Sequence, residues 1–330
     1  MKNMKKWMSV ICSAAMIAGL AACGAKDAGT EDKGKEPAGE KEKFKVAFAS
    51  LCEDNDFGIS SKESFVKEAE AMGWELVVLN NNYDGATAIQ NMDTVLTQEC
   101  DGFVNFQVDA GVAQTIADMA TEAELPMITV DCPHPGIPFF GANNKEAGLI
   151  VGNALGEKAA DTWEGKADLI VLCGAPGSGE VVDLRMQGIA IGIKETLKDE
   201  DIEVLELDGK SEIETSQKVI ADVLTANPDK KHILIGCLND QSALGAYNAV
   251  EAAGRESDVY IGSHGCDAPA IENLKNKEEN CWIGSVAYFP ERYGEYLVPL
   301  MDDLLHGKEI PEESFPDHVF IDKSNIDEYY

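Results

Sequence analysis

His232-Ile-Leu-Ile-Gly-Cys-Leu-Asn-Asp-Gln-Ser-Ala-Leu-Gly-Ala-Tyr247 decides how this chain is read. A short apolar run ends in two polar residues and then turns into an Ala-rich segment closed by Gly254. The pattern predicts a buried parallel strand, a tight turn and a helix. Asp240 is placed to cap that helix by accepting from its free N–H groups, which leaves Asn239 pointing off the strand end. In open α/β sheets, ligands bind just outside the carboxyl ends of strands. An amide at that point offers two donors and an acceptor to a small polar molecule. The alternative is that Asn239 only shapes the turn.

The same layout recurs outward from this stretch. Apolar runs at Lys45–Ser50, Glu75–Leu79, Gly102–Phe106 and Met127–Val130 alternate with helical segments, one of which repeats Ile89, Met92 and Leu96 on a single face. A second series follows at Asp168–Cys173, Ile202–Leu207, His232–Leu238 and Asp258–Gly262. Within each series the runs are spaced by about 25 to 34 residues, the length of one βαβ unit. Two similar doubly wound parallel sheets are expected, with a crossing point near Phe139–Asn144 and a helix from about Pro290 to His306.

A chain of 330 residues with 45% hydrophobic content is long enough for two α/β domains. It carries 59 acidic against 27 basic residues, a net charge of −32. That surface repels phosphate and excludes nucleic acid as a partner. No Gly-x-Ser-x-Gly, phosphate-cradling Gly-x-x-x-x-Gly-Lys or His-Glu-x-x-His motif is present, so no enzyme activity is expected. Gly174-Ala-Pro-Gly-Ser-Gly179 has the wrong spacing for dinucleotide binding and reads as a tight turn.

The first residues form a targeting segment. Lys2, Lys5 and Lys6 precede an apolar run from Trp7 to Ala22, which is short for a membrane span. Leu20-Ala-Ala-Cys-Gly24 resembles the lipobox of bacterial lipoproteins, which implies a signal peptide at 1–22 and a lipid on Cys23. Residues 23–43 contain no Val, Ile, Leu, Met or aromatic side chain and read as a flexible tether. Its root-mean-square reach is on the order of 25 Å. Seven cysteines remain beyond Cys23, an odd number at irregular spacing, so a full set of disulfides is not expected.

Signal, tether and two equal wheels together resemble the type 1 substrate-binding proteins of ABC transporters, in the ribose/galactose-type sugar-binding branch. Asn239-Asp240 with Ser-Ala-Leu-Gly-Ala is similar to the family's Asn-Asp strand end, and Pro126-Met-Ile-Thr-Val-Asp131 to its sugar-binding aspartate strand. The loop Ala49–Gly58 stands where the family has a polar turn with a stacking aromatic, which implies Asn55 and Phe57. The resemblance further implies Gln107, Asp183, Arg185, His264 and Tyr288 at the ligand, together with Asp131 and Asn239. It implies two Rossmann-like lobes, 44–143 with 289–317 and 144–288 with 318–330, joined by three crossovers around a ligand cleft. A monomer without cofactor or metal would capture a sugar or sugar-like polyol by cleft closure. It would then deliver the ligand to an ABC permease at the outer face of the bacterial cell membrane.

The departures from the pattern bear on the ligand. Cys132 replaces an Arg, only Arg185 remains of an Arg-x-Arg pair, His264 stands for an Asp, and Tyr288 for a Gln. Glu53, Asp54, Asp56 and Asp183 could favour an amino sugar or another cationic ligand, or be solvated turn acids. Cys132-Pro-His134 and His264-Gly-Cys266 are alternative ligand pairs for a soft metal, or small apolar strand ends. Presentation of the ligand to a membrane sensor is the other possible use of such a lipoprotein.

The Cys23 reading has a direct test. Fractionation of cells should find the wild type with the membrane and Cys23→Ala released from it; free wild-type protein in the medium would refute the anchor.

Overall fold

The computed structural model describes residues 43–54, 56–177, 179–276 and 279–330. Cys23, the signal segment, nearly all of the tether and Asn55 lie outside the described residues.

The first half of the body runs β1 (Lys45–Ser50), α1 (Asp56–Met72), β2 (Glu75–Asn80), α2 (Gly85–Thr97), β3 (Gly102–Phe106), α3 (Ala113–Glu122), β4 (Met127–Val130) and β5 (Phe139–Phe140). The second runs α4 (Asn144–Trp163), β6 (Leu169–Gly174), α5 (Glu180–Leu197), β7 (Val204–Asp208), α6 (Ile213–Ala226), β8 (Ile233–Cys237) and α7 (Asp240–Ala253). It continues through β9 (Val259–Gly265), α8 (Ala268–Lys275) and β10 (Trp282–Ala287). The tail adds α9 (Tyr293–Leu305), β11 (Glu313–Ser314), β12 (Val319–Asp322) and α10 (Ile326–Tyr329).

These strands make two six-stranded sheets of matching order, β2-β1-β3-β4-β5-β11 and β7-β6-β8-β9-β10-β12. The central strands are buried from end to end, as a sheet covered on both faces requires. Edge strands β2 and β7 are partly exposed. All pairings are parallel except β10 with β12. The expectation of two doubly wound sheets holds, because each βαβ unit buries an apolar run on both faces.

The chain passes between the sheets after β5, after β10 and after β11. The three passages touch one another. The backbone N–H of Asn143 donates to His318 Nε2 at 3.0 Å, and the His318 ring meets Tyr288 edge-on at 5.1 Å. Burial, with Arg185 nearby, pushes His318 down to about 4, so the ring stays neutral and keeps an acceptor for Asn143.

Strand β9 runs three residues beyond the expected end at Gly262 because Ser263 and His264 find buried partners, described below. The seven described cysteines are all free and buried, several of them within the apolar clusters. No helix among the described residues is long and apolar enough to cross a membrane.

Helices α4 and α5 pack backbone against backbone. Gly148, Gly152 and Gly156 recur every fourth residue and face Gly188, Gly192 and Thr196. A Cβ at Gly148 would overlap the Arg185 carbonyl oxygen and stand 3.0 Å from Gly188 Cα. This contact fixes the segment that carries Arg185. Gly148→Ala should therefore cost about 1–3 kcal/mol of folding free energy, read as a lowered denaturant midpoint with an unchanged slope.

Candidate functional site

The carboxyl ends of β4 in one sheet and of β8 and β9 in the other converge on a cavity of ≈ 400 Å³. Its walls include Phe57, Asp131, Arg185, Asn239, His264 and Tyr288, all from the sequence reading, and Tyr293 and Asp267, which that reading missed. The volume suits a small ligand.

At the end of β8 the capping role expected of Asp240 passes to Asn239, which still lines the cavity, while Asp240 does not. Asn239 is the helix cap: its Oδ1 accepts from Ser242 N–H at 2.9 Å, and its Nδ2 donates to the Ser211 carbonyl at 3.3 Å. One amide hydrogen is left for the cavity. Asp240 is fully buried instead. Its Oδ1 accepts from Ser263 and Ser285 hydroxyls at 2.6 and 2.7 Å, and its Oδ2 from Asp267 N–H at 2.7 Å. Burial pushes Asp240 up to about 7 against the pull of those donors. This follows from chain direction, since the first residue inside the helix points back toward β9 and β10.

Asp131 ends β4 in a left-handed turn, φ 60°. Burial pushes its carboxyl up to about 6, while the Ala142 N–H and the Arg185 charge oppose the rise. Arg185 is held on two sides, Nε donating to Asn144 Oδ1 at 2.8 Å and Nη1 to the Leu238 carbonyl at 3.0 Å. Its guanidinium lies over the Tyr288 ring at 5.1 Å, and among the described residues its bonds use only Nε and Nη1, so further N–H groups remain to donate.

The aromatic wall is shared by the two sheets. Phe57 packs edge-on against Phe106 and Tyr293, at 6.1 and 5.7 Å. It also touches the core around Val286 and Tyr288 in the other half. Tyr288 and Tyr293 are buried at 5% and 0% exposure, and neither hydroxyl has a hydrogen-bond partner among the described residues. Burial pushes Tyr288 up to about 12 and Tyr293 well above the usual phenol range, so both remain O–H donors.

Three expectations change. His264 lines the cavity but its ring is spent: Nδ1 faces the Cys237 carbonyl at 3.0 Å and Nε2 the Ala147 carbonyl at 3.2 Å. Burial and the Arg185 charge hold its pKa down to about 3, so the ring is neutral, donates its single N–H to one of these two carbonyls, and has no N–H over for a ligand. Gln107 stays outside the cavity because its side chain braces the loop after β3, contacting His134 Nε2 at 3.3 Å and accepting from Asp109 N–H. Asp183 faces a separate cavity beside Pro176 and Glu206, since it lies two residues before Arg185 and thus on another side of α5.

The suggested metal pairs are engaged elsewhere. His134 Nδ1 meets the Cys132 carbonyl at 2.8 Å, and both nitrogens of His264 are taken as described. Among the described residues no three His, Cys, Asp or Glu side chains are grouped to hold a metal ion. Tyr293 was missed because it follows the second passage as the first residue of a helix, where only apolar packing was expected. Asp267 was missed because β9 was read as too short, although an acid just past a strand end is the same signal that marked Asn239.

The ribose import binding protein of Escherichia coli strain K12 is 24% identical over 80% of this chain and 86% of its own length. The fructose import binding protein of Bifidobacterium longum is 26% identical over 95% and 93%. An ABC transporter solute-binding protein from Actinobacillus succinogenes, solved with bound D-allose, superposes with a TM-score of 0.73. It is 20% identical over 87% of this chain and all of the other. The sequence model of the periplasmic binding protein domain matches residues 46–309. With that match covering both sheets except their edge strands β11 and β12, the chain belongs to the periplasmic binding protein domain family.

Proposed function

We propose that this chain is a substrate-binding protein that captures a sugar or sugar-like polyol between its lobes and delivers it to an ABC importer. One observation carries the reading: two buried phenol hydroxyls without partners, Tyr288 and Tyr293, line the cavity beside Asp131 and Arg185. Each unmet buried hydroxyl costs about 1–3 kcal/mol, and a ligand rich in hydroxyls removes that cost. The likeness to import binding proteins for ribose and fructose supports the same ligand class.

In this reading Phe57 covers an apolar sugar face. Asp131 accepts from ligand hydroxyls, while Arg185, Tyr288, Tyr293 and the free Asn239 hydrogen donate. Lobes of 44–143 with 289–317 and of 144–288 with 318–330 turn about the three passages and close on the ligand. The N-terminal sequence supports export and a lipid anchor on Cys23, with the body acting as a monomer at the outer face of the membrane.

A thermal-shift screen of pentoses, hexoses and polyols identifies the probe sugar, and calorimetric titration tests the site. A binder should stabilise the fold by about 2.7 kcal/mol at a hundredfold excess over its dissociation constant. Asp131→Ala should lose roughly ten- to a hundredfold in affinity, and Tyr293→Phe about tenfold or less. Wild-type binding by both variants would remove the cleft as the site.

Affinity should also depend on pH. Asp131 titrates at about 6 in the free protein, above its ordinary 3.8, so the folded state loses stability as pH rises between those values. Hydroxyl donors from a ligand favour the carboxylate and lower that pKa. Binding therefore releases a proton in this window, and affinity should weaken as pH falls below about 6. Calorimetry in buffers of different ionisation enthalpy reads the released proton, and Asp131→Asn should abolish it.

A further inference from the structure

Of the non-glycine residues with left-handed backbone, only Cys266 (φ 54°) and Phe289 (φ 49°) belong to an apolar core among the described residues. That conformation is costly for a side chain with a Cβ and persists only where surrounding contacts hold it. The two serve different parts of the molecule. Cys266 stands between Gly265 and Asp267, both of which line the cleft cavity. Phe289 lies in the second passage, where the chain leaves β10 for α9. Yet both sit in one cluster, with Leu274, Ala287, Ile321 and Ile326.

Tyr330, which follows α10, meets both of them. Its ring stacks on Phe289 at 6.3 Å with 14° between the planes, and Tyr329 reaches the same ring at 5.6 Å. The Arg292 guanidinium lies over the Phe289 ring as well, at 5.8 Å. The Tyr330 hydroxyl interacts with the Cys266 thiol. Burial pushes that thiol up to about 12 and the phenol above its usual range, so the contact joins two neutral groups. On its backbone side the same loop is held by Ser285 and Asp240, which accept from the Cys266 and Asp267 N–H groups. The Phe289 ring is thus fixed in the second lobe, while Tyr293 just beyond it is in the core of the first. Tyr330 also lines a cavity of ≈ 510 Å³, across from Phe57 and Ser60 of α1.

We propose that Tyr330 is a positioning residue for the cleft, which clamps the loop Gly265–Asp267 to the pivot of the second passage. The inference rests on the sugar reading above and adds a residue that acts on binding from outside the ligand's reach. Tyr330 does not line the cavity of ≈ 400 Å³, so it works through Cys266. With the loop tied to Phe289, the turn of the lobes leaves the shape of that wall unchanged. A wall ordered beforehand costs less to order on binding. The gain is therefore the same for every sugar that fills the cleft.

The test is calorimetric titration of the full chain with D-ribose, D-fructose, D-galactose and sorbitol, with denaturant midpoints measured alongside. Tyr330→Phe keeps the ring stack and loses only the hydroxyl. It should weaken every probe that binds the wild type by about three- to tenfold, by a common factor and at a midpoint close to wild type. Cys266→Ala should reproduce that loss, and the two together should lose little more than either alone. Cys266→Ser keeps a hydroxyl for Tyr330 and should bind within about twofold of the wild type. Phe289→Leu, which removes the ring that Tyr330 stacks on, should weaken binding in the same way. Wild-type affinity in Tyr330→Phe, or losses that multiply when it is combined with Cys266→Ala, would overturn the inference and leave the sugar reading standing. If none of the four probes binds the wild type, the sugar reading falls, and this one with it.

Discussion

A buried carboxylate holds the ligand end of the second lobe together. Asp240 has no contact with water, and every group that reaches it is a donor: two serine hydroxyls and a backbone N–H. Those hydroxyls are donated to in turn, Ser263 by the Trp282 indole at 3.0 Å and Ser285 by the Cys266 N–H at 3.0 Å. One side chain therefore ties α7, β9, β10 and the first turn of α8. A chain of aligned hydrogen bonds in a low dielectric is strong when complete and costly when broken. The loop from Gly265 to Asp267 takes its shape from this network, and with the Asp240 carboxylate engaged in it, the Asn239 amide caps α7.

The first lobe meets the second through aromatic rings more than through charge. Phe57 belongs to both cores, Tyr288 lies in the second passage, and Tyr293 opens α9 against β-strands of the first sheet. Rings of this kind bury large areas while allowing small sliding motions, which suits a joint that opens and closes. The His318 contacts with Asn143 and Tyr288 link the three passages, so they do not move independently.

Polar groups in the cleft are poised rather than satisfied. Asp131 is raised by burial, and the two phenols lack partners among the described residues. Each of these is unfavourable in the free protein and becomes favourable with a suitable ligand. The backbone contact of α4 with α5 then matters beyond packing, because it sets the position of Arg185, the one cation lining the cavity among the described residues. A binding protein gains specificity in this way, since a ligand that fails to meet these groups leaves them desolvated.

The sequence by itself determined the wheels. Apolar runs long enough for one strand, spaced by one helix and repeated twice, leave little choice but two parallel sheets, because buried backbone must pair with its neighbours. It also picked out the strand ends carrying Asp131, Asn239 and Tyr288, since side chains at those ends face the cleft, and Arg185 on α5 by its resemblance to the family pattern. What it left open was how neighbouring polar residues divide their work. Asn239 and Asp240 are adjacent, and their roles were settled by the serines on β9 and β10 that only folding brings near. His264 has the position of a ligand group, but carbonyls of β8 and α4 lie against its two ring nitrogens, and its single N–H goes to one of them. Asp183 lost its place by helical phase, Tyr293 gained its own by following the second passage, and Asp267 by the extension of β9. Periodicity is local and survives in a single sequence, whereas the partner of a polar atom is set by distant chain, and only the tertiary structure supplies it.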